Sequence, residues 1–293
     1  MRVVFIGAVQ FSRDALLATV AAGADVVGVC TLESSPANAD HVDLSGVCRE
    51  RGIDCRYTPD INADDTIAWI RSLHPDVVFC FGWSRLLRRP LLESAPLGVI
   101  GFHPAELPAN RGRHPLIWAL ALGLTRTAST FFFMDESADA GDILAQRPIV
   151  IGDDDDATTL YRKMTLTALA QIAEFVPRLA DRTFTRTPQD ATRANTWRKR
   201  GRADGQIDWR MSARSIRNLV RALARPYPGA HFVHAGRDVK VWSAEVVPGT
   251  PDHVEPGKVL EVAVAGPLIA CGEQAIRLVG IDSAVSLIPG EYL

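Results

Sequence analysis

The sequence predicts an α/β protein: a doubly wound, mostly parallel Rossmann-like sheet followed by a small C-terminal β-barrel of OB-like type. Three observations predict it. Short continuous apolar runs alternate with stretches of helical apolar spacing through the first half, the pattern of parallel strands buried on both faces and joined by crossover helices. After residue 182 the chain becomes polar and basic, RTFTRTPQDATRANTWRKRGRADG, with no sustained apolar period. Beyond it, one amphipathic helix is followed only by short apolar stretches broken by Gly and Pro. These mark an N-terminal domain over 1–182, a basic linker over 183–203 and a C-terminal domain over 204–293.

VVFIG (3–7) reads as the first strand, and SRDALLATVAAG (12–23) carries helical spacing up to its glycine. DVVGVCTL (25–32), a helix over 44–51, a short strand near 54–57, a helix over 63–73 and DVVFCFG (76–82) extend the alternation. GVIGF (98–102), a helix near 116–123, ASTFFFM (128–134) and ILAQRPIVI (143–151) follow. The longest helix opens on GDDDD (152–156), whose carboxylates suit the N-cap and first turn, facing the positive end of the helix dipole. In the C-terminal part, IDWRMSARSIRNLVRALA is a helix closed by Pro226 and Pro228. AHFVHA, DVKVWSAEVV, GKVLEVAVAGPLIACG and AIRLVGI read as strands.

The 293 residues, 47% hydrophobic and 23% charged, suffice for two packed domains. The N-terminus lacks a signal-peptide pattern and no window is apolar enough for a membrane span, so a cytoplasmic protein without membrane contact is expected. Five cysteines are scattered without a CxxC, and Cys30 and Cys80 lie in apolar runs. Buried thiols are expected there, without disulfides or a metal site.

Doubly wound sheets bind ligands beyond the carboxyl ends of their strands. After the first strand, GAVQFS has one glycine where a dinucleotide fingerprint needs three, although Glu33 could imitate a ribose-binding acid. The stronger candidate is GFHPAELPANRGRHP (101–115), which leaves a strand end with His103. Alone, a His-Pro there reads as a hydrogen-bonded turn. A second signal, DESADAGDIL, follows the next strand and sets Asp139 in a small-residue turn with Gly141. Leaving neighbouring strands, the histidine and the carboxylate can meet, the carboxylate orienting the imidazole and favouring its charged form.

HPAELPANRGRHP followed by ASTFFFMDESADAGDIL resembles the signature of the formyltransferases that use 10-formyltetrahydrofolate: Asn-x-His, Leu-Pro, Arg-Gly and later Asp-x-Gly-Asp. His103, Leu107, Pro108, Arg111, Gly112, Asp139, Gly141 and Asp142 match in order. IDWRMSARSIRNLVRAL, RPYPGA and VKVWSAEVV resemble the family's C-terminal barrel, so the resemblance spans nearly the whole chain. It implies formyl transfer to an amine without a metal, with His103 handling the proton and Asp139 holding it. It also implies a folate site at Arg85, Leu86, Leu87, Arg113 and the loop of Asp135, Glu136, Ser137, Ala138 and Asp139. Leu86 and Leu87 read equally well as helix core.

Two branches of the family compete for the acceptor. Methionyl-tRNA formyltransferases carry a basic loop after the second strand; here ESSPANADHVD (33–43) has no Lys or Arg, which argues against nucleic acid. Sugar-nucleotide formyltransferases, the UDP-4-amino-4-deoxy-L-arabinose branch among them, resemble the C-terminal half more closely, which implies an amino-sugar nucleotide, UDP- or TDP-linked. A homodimer is compatible with either. The ten Lys/Arg of 193–225 suit tRNA, a nucleotide diphosphate, or a solvated linker and helix. One departure stands out: the family Asn two residues before the histidine is Gly101. Either Asn110 supplies the missing amide, or an ordered water fills the space at Gly101, or the chain is a non-catalytic folate- or nucleotide-binding pseudoenzyme.

Overall fold

A computed structural model describes residues 1–35, 40–249, 253–281 and 285–293. The chain forms two compact units, one of Met1–Gly112, Thr127–Ile149 and Arg162–Trp197, the other of Arg113–Arg126, Val150–Tyr161 and Arg198–Leu293.

Its elements run β1 (Arg2–Ile6), α1 (Gln10–Ala21), β2 (Asp25–Thr31), α2 (Ser45–Arg51), β3 (Cys55–Tyr57), α3 (Asp64–Ser72), β4 (Val77–Cys80), α4 (Arg89–Leu92) and β5 (Val99–His103). There follow β6 (Arg111–Gly112), α5 (Pro115–Ala121), β7 (Arg126–Phe133), β8 (Ile143–Val150), α6 (Ala157–Ala180), β9 (Thr196–Trp197) and α7 (Ala213–Ala222). The chain ends with β10 (Ala230–His234), β11 (Arg237–Val247), β12 (Val259–Ala263), β13 (Gly266–Ala270) and β14 (Ala275–Ile281).

The first unit is built on a seven-stranded sheet in the order β3-β2-β1-β4-β5-β7-β8. Strands β1 to β5 pair in parallel, and β7 runs antiparallel to β5 with His103 opposite Thr130. The order reverses between β1 and β4, so the loops after β1 and β4 flank the switch point, where such sheets bind ligands, and the loop after β5 leaves the sheet one strand further on. The apolar runs follow from burial on both faces. Val4, Ile6 and Val78 face Ile67, Ile70 and Leu91 on one side. On the other, Phe79 and Phe131 pack against Phe175 of α6, with ring centroids 6.0 and 4.8 Å apart. Cys30 and Cys80 are buried thiols, as expected, and burial pushes both up to about 12. Leu91 is fully buried, so Leu91→Ala is expected to cost about 2–5 kcal/mol, read from the shift of the urea unfolding midpoint.

The second unit carries a five-stranded antiparallel sheet in the order β10-β11-β14-β13-β12, which leaves β10 and β12 as its outer members among the described residues. Ala235 and Gly236 join β10 to β11 with φ of 49° and 74°, the positive-φ pair of a tight hairpin turn. GKVLEVAVAGPLIACG forms the hairpin of β12 and β13. At Gly266, φ is +108° and a Cβ would run into the Leu278 carbonyl. Helix α7 is capped by Ser212, whose Oγ accepts from Ser215 N at 3.1 Å, and it packs on α5 and β11.

The acidic run divides its labour. Asp156 is the N-cap of α6: its Oδ1 accepts from Thr159 N at 2.9 Å, and Thr159 Oγ1 accepts from Asp156 N at 3.0 Å. The other aspartates precede the helix and meet arginines of α7 instead. Arg221 donates to the Gly152 and Asp155 carbonyls at 3.0 and 3.1 Å, and Arg217 to that of Asp153 at 2.9 Å. Further along the basic stretch, Arg198 pairs with Asp204, Arg202 with Asp238 and Arg210 with Asp208, and Arg225 lies over the Trp242 ring at 4.6 Å. Most of these cations are therefore engaged inside their own unit.

Candidate active site

Strand β5 ends at His103, where the chain turns into a proline-stiffened loop. The loop is tied down from β7 and β8. Thr130 Oγ1 donates to the Ala105 carbonyl at 2.6 Å, and Gln146 Nε2 donates to the Leu107 carbonyl at 2.8 Å and to Thr130 Oγ1 at 3.0 Å. It returns at Asn110, in the left-handed region with φ of 64°, a conformation asparagine tolerates better than most residues. That turn points the Asn110 carbonyl at the imidazole, 2.8 Å from His103 Nε2.

Strand β7 leads into the second loop, closed by Phe133 N donating to the Asp142 carbonyl at 2.8 Å. Gly141 is required because a Cβ there would overlap the Phe133 carbonyl. Asp139 adopts φ of 56° and turns its carboxylate toward the first loop. Its Oδ2 accepts from Gly112 N at 2.9 Å and lies 3.6 Å from His103 Nδ1. The His103 and Asp139 side chains are 6% and 20% exposed, so the pair is largely desolvated but still reachable.

The two ring nitrogens have different partners. A carbonyl only accepts, so Nε2 must carry a proton, and the lone pair of a neutral ring is on Nδ1, facing Asp139. Protons therefore enter and leave at Nδ1. At 3.6 Å the Nδ1–carboxylate contact is longer than a hydrogen bond, a separation common before substrate closes a catalytic pair.

His103, Asn110 and Asp139 are thus brought together within the first unit; the other candidates divide. Asp135, Glu136, Ser137 and Ala138 form the exposed part of the second loop, where Asp135 Oδ1 accepts from Ser137 N at 2.8 Å. Leu86 is 65% exposed, whereas Leu87 is buried against Ile67 and Leu91 and is a core residue, in the loop before α4 rather than in a helix. Arg85 donates to the Pro59 carbonyl and lines a cavity of about 360 Å³ with Leu32, Glu33, Tyr57 and Thr58. None of His103, Asn110 and Asp139 lines that cavity. Arg113 belongs to the second unit. Of the segment 33–43, which has no Lys or Arg, residues 36–39 lie outside the described residues. No group of three or more His, Cys, Asp or Glu among the described residues could hold a metal ion, and no described helix is long and apolar enough to cross a membrane.

Gly101 is not a vacancy. A Cβ there would lie 2.8 Å from Met134 Cγ and 3.1 Å from Phe132 Cε1. Met134 takes up the direction in which the family asparagine would project, which removes the space the ordered-water reading needs.

Sequence reasoning missed the segment that binds both loops. Strand β9 pairs in parallel with β6, Arg111 beside Thr196 and Gly112 beside Trp197. Asn195 Oδ1 accepts from Asn110 N at 2.8 Å. Gln189 Nε2 donates to the carbonyls of Asp139 and Gly141 at 2.9 and 2.7 Å, while its Oε1 accepts from Arg111 at 2.8 Å. Nothing in a polar stretch without periodicity singles out these two amides.

A doubly wound domain with a loop-borne histidine–carboxylate pair and a separate antiparallel domain define a class that family models identify. Residues 1–174 match the formyl transferase model, and residues 200–285 match that of the formyl transferase C-terminal domain. The chain belongs to the formyl transferase family. Among solved structures it is similar to an N-formyltransferase from Helicobacter canadensis in complex with folinic acid and dTDP-3-aminofucose. That match has 14% identity and a TM-score of 0.73, and covers 94% of this chain and 98% of the other. A sugar N-formyltransferase from Shewanella sp. is 18% identical with a TM-score of 0.66, covering 84% and 99%. A variant of HypX from Aquifex aeolicus is 19% identical with a TM-score of 0.64; the match covers 97% of this chain but 45% of HypX, so the chain spans less than half that protein's length.

Proposed function

We propose that this protein transfers a formyl group from 10-formyltetrahydrofolate to the amine of an amino-sugar nucleotide. The observation that carries the reading is the His103–Asp139 pair, set by the two loops that also carry the family signature. Solved neighbours that hold folinic acid with dTDP-3-aminofucose, or dTDP with a formylated folate, support both substrate classes. The folate supplies the formyl group. Leu86 and the exposed loop 135–138 offer it apolar contact and polar atoms, and Arg85 offers a cation lining a cavity of its own. The Leu87 side chain packs in the core with Ile67 and Leu91.

In this reading the amine attacks the formyl carbon; His103 takes its proton at Nδ1, and as an imidazolium returns it to the folate N10 while the C–N10 bond breaks and tetrahydrofolate leaves. The resulting imidazolium lies beside the Asp139 carboxylate, which is held in place by Gly112 N, so the charge formed has a partner already aimed at it. The Asn110 carbonyl keeps Nε2 protonated throughout. The Asn110 carboxamide makes no hydrogen bond among the described residues, and in this reading it donates to the oxygen that becomes negative during transfer.

The test is to incubate the protein with 10-formyltetrahydrofolate and a panel of UDP- and TDP-linked amino sugars, with initiator methionyl-tRNA alongside, and to follow each by mass spectrometry. One amino-sugar nucleotide should gain a formyl group while the tRNA is untouched. Efficient formylation of the tRNA would overturn the acceptor. Folate binding without turnover of any acceptor would favour the pseudoenzyme reading.

A further inference from the structure

Residues 175–199 lie between the two family matches, and within them fall Gln189, Asn195 and β9. We infer that this segment is a clamp on the catalytic loops, with Asn195 and Gln189 as positioning residues that set the orientation of His103 and of Asp139.

The geometry gives each amide a separate task. Asn195 acts only as an acceptor, through Oδ1, toward the backbone N–H of Asn110. That N–H belongs to a residue at φ of 64°, a conformation with little intrinsic preference, and the same residue's carbonyl fixes the Nε2–H tautomer of His103. Gln189 acts chiefly as a donor. Its Nε2 is shared by the carbonyls of Asp139 and Gly141, which flank the turn that aims the carboxylate, and its Oε1 ties that turn to Arg111 on β6. The β6–β9 pairing holds both amides in register, and at Gly112, with φ of +100°, a Cβ would run into the Trp197 carbonyl. Every one of these contacts lies within the first unit.

Because one amide accepts and the other donates, isosteric acid substitutions separate them. Asn195→Asp keeps the acceptor, whereas Asn195→Ala removes it. Gln189→Glu puts a carboxylate against two carbonyl oxygens. Misplacing a reacting group by about 1 Å can cost about 10²-fold in rate. Asn195→Ala and Gln189→Glu should therefore each lower kcat by about 10- to 100-fold with KM for the folate within about twofold, and Asn195→Asp should restore most of the rate. The kinetic arm rests on the formyl-transfer reading, so a second readout stands apart from it: the ¹⁵N spectrum of the His103 ring, assigned by its loss in His103→Gln. The parent and Asn195→Asp should show a single Nε2–H tautomer at neutral ring charge, and Asn195→Ala an averaged pair. A parent that formylates nothing on the panel sinks the activity while the ring spectrum still decides the clamp. The clamp is overturned if Asn195→Ala keeps the parent's ring spectrum, if Asn195→Asp is as impaired as Asn195→Ala, or if Gln189→Glu turns over at the parent rate.

Discussion

His103→Ala is expected to lower kcat by about 10³-fold while folate affinity, measured by titration, stays within a few-fold. The ring is buried at the end of β5, so on the proposed reading its loss removes proton transfer rather than binding surface. Asp139 needs a gentler substitution. Its φ of 56° would strain an alanine, whereas asparagine tolerates that region and can still accept from Gly112 N. Asp139→Asn therefore removes the charge with little cost to the loop, and kcat should fall by about 10²- to 10³-fold. The double variant decides whether the two act together. Residues that work as one unit are strongly non-additive, so it should be no more than about tenfold worse than His103→Ala. Losses that multiply would mean that Asp139 serves the loop and not the proton.

The strands of the first unit were legible because burial on both faces forces continuous apolar runs, as in VVFI of β1 and VVFC of β4. His103 and Asp139 were legible because each follows such a run and carries chemistry that packing does not call for. What could not be read is set by distance along the chain. The pairing of β6 with β9 joins residues some 85 positions apart through backbone atoms alone, and Asn195 reaches Asn110 across the same gap. Leu87 stayed open in the sequence for a related reason: leucine looks alike as a ligand wall and as core, and its packing with Ile67 and Leu91 becomes visible only in the fold. In GDDDD the composition was informative but the assignment was too local. One aspartate caps α6, and the turn before it serves arginines more than sixty residues away.

Removing the Asn110 carboxamide is expected to lower kcat by about 10²- to 10³-fold with little change in folate affinity, as for other donors to an oxygen that becomes negative only during reaction. The structure dictates which substitution tests this. Asn110 adopts φ of 64°, where alanine is strained and glycine is not, so Asn110→Gly deletes the amide and preserves the turn that presents the carbonyl to His103. The competing explanation is that asparagine is there only because it accepts a left-handed backbone. On that account Asn110→Gly and Asn110→Asp are both near-neutral. On the catalytic account Asn110→Asp is the worse of the two, because it sets a negative charge where one develops. A compensating pair sharpens the test. Met134 fills the direction in which a residue-101 side chain would project, so Gly101→Asn alone should clash, but combined with Met134→Ala it should recover part of the rate lost in Asn110→Gly. Parent-rate turnover by Asn110→Gly would assign the oxygen to a backbone donor, leaving Asn110 as a turn residue whose carbonyl, not its amide, serves the site.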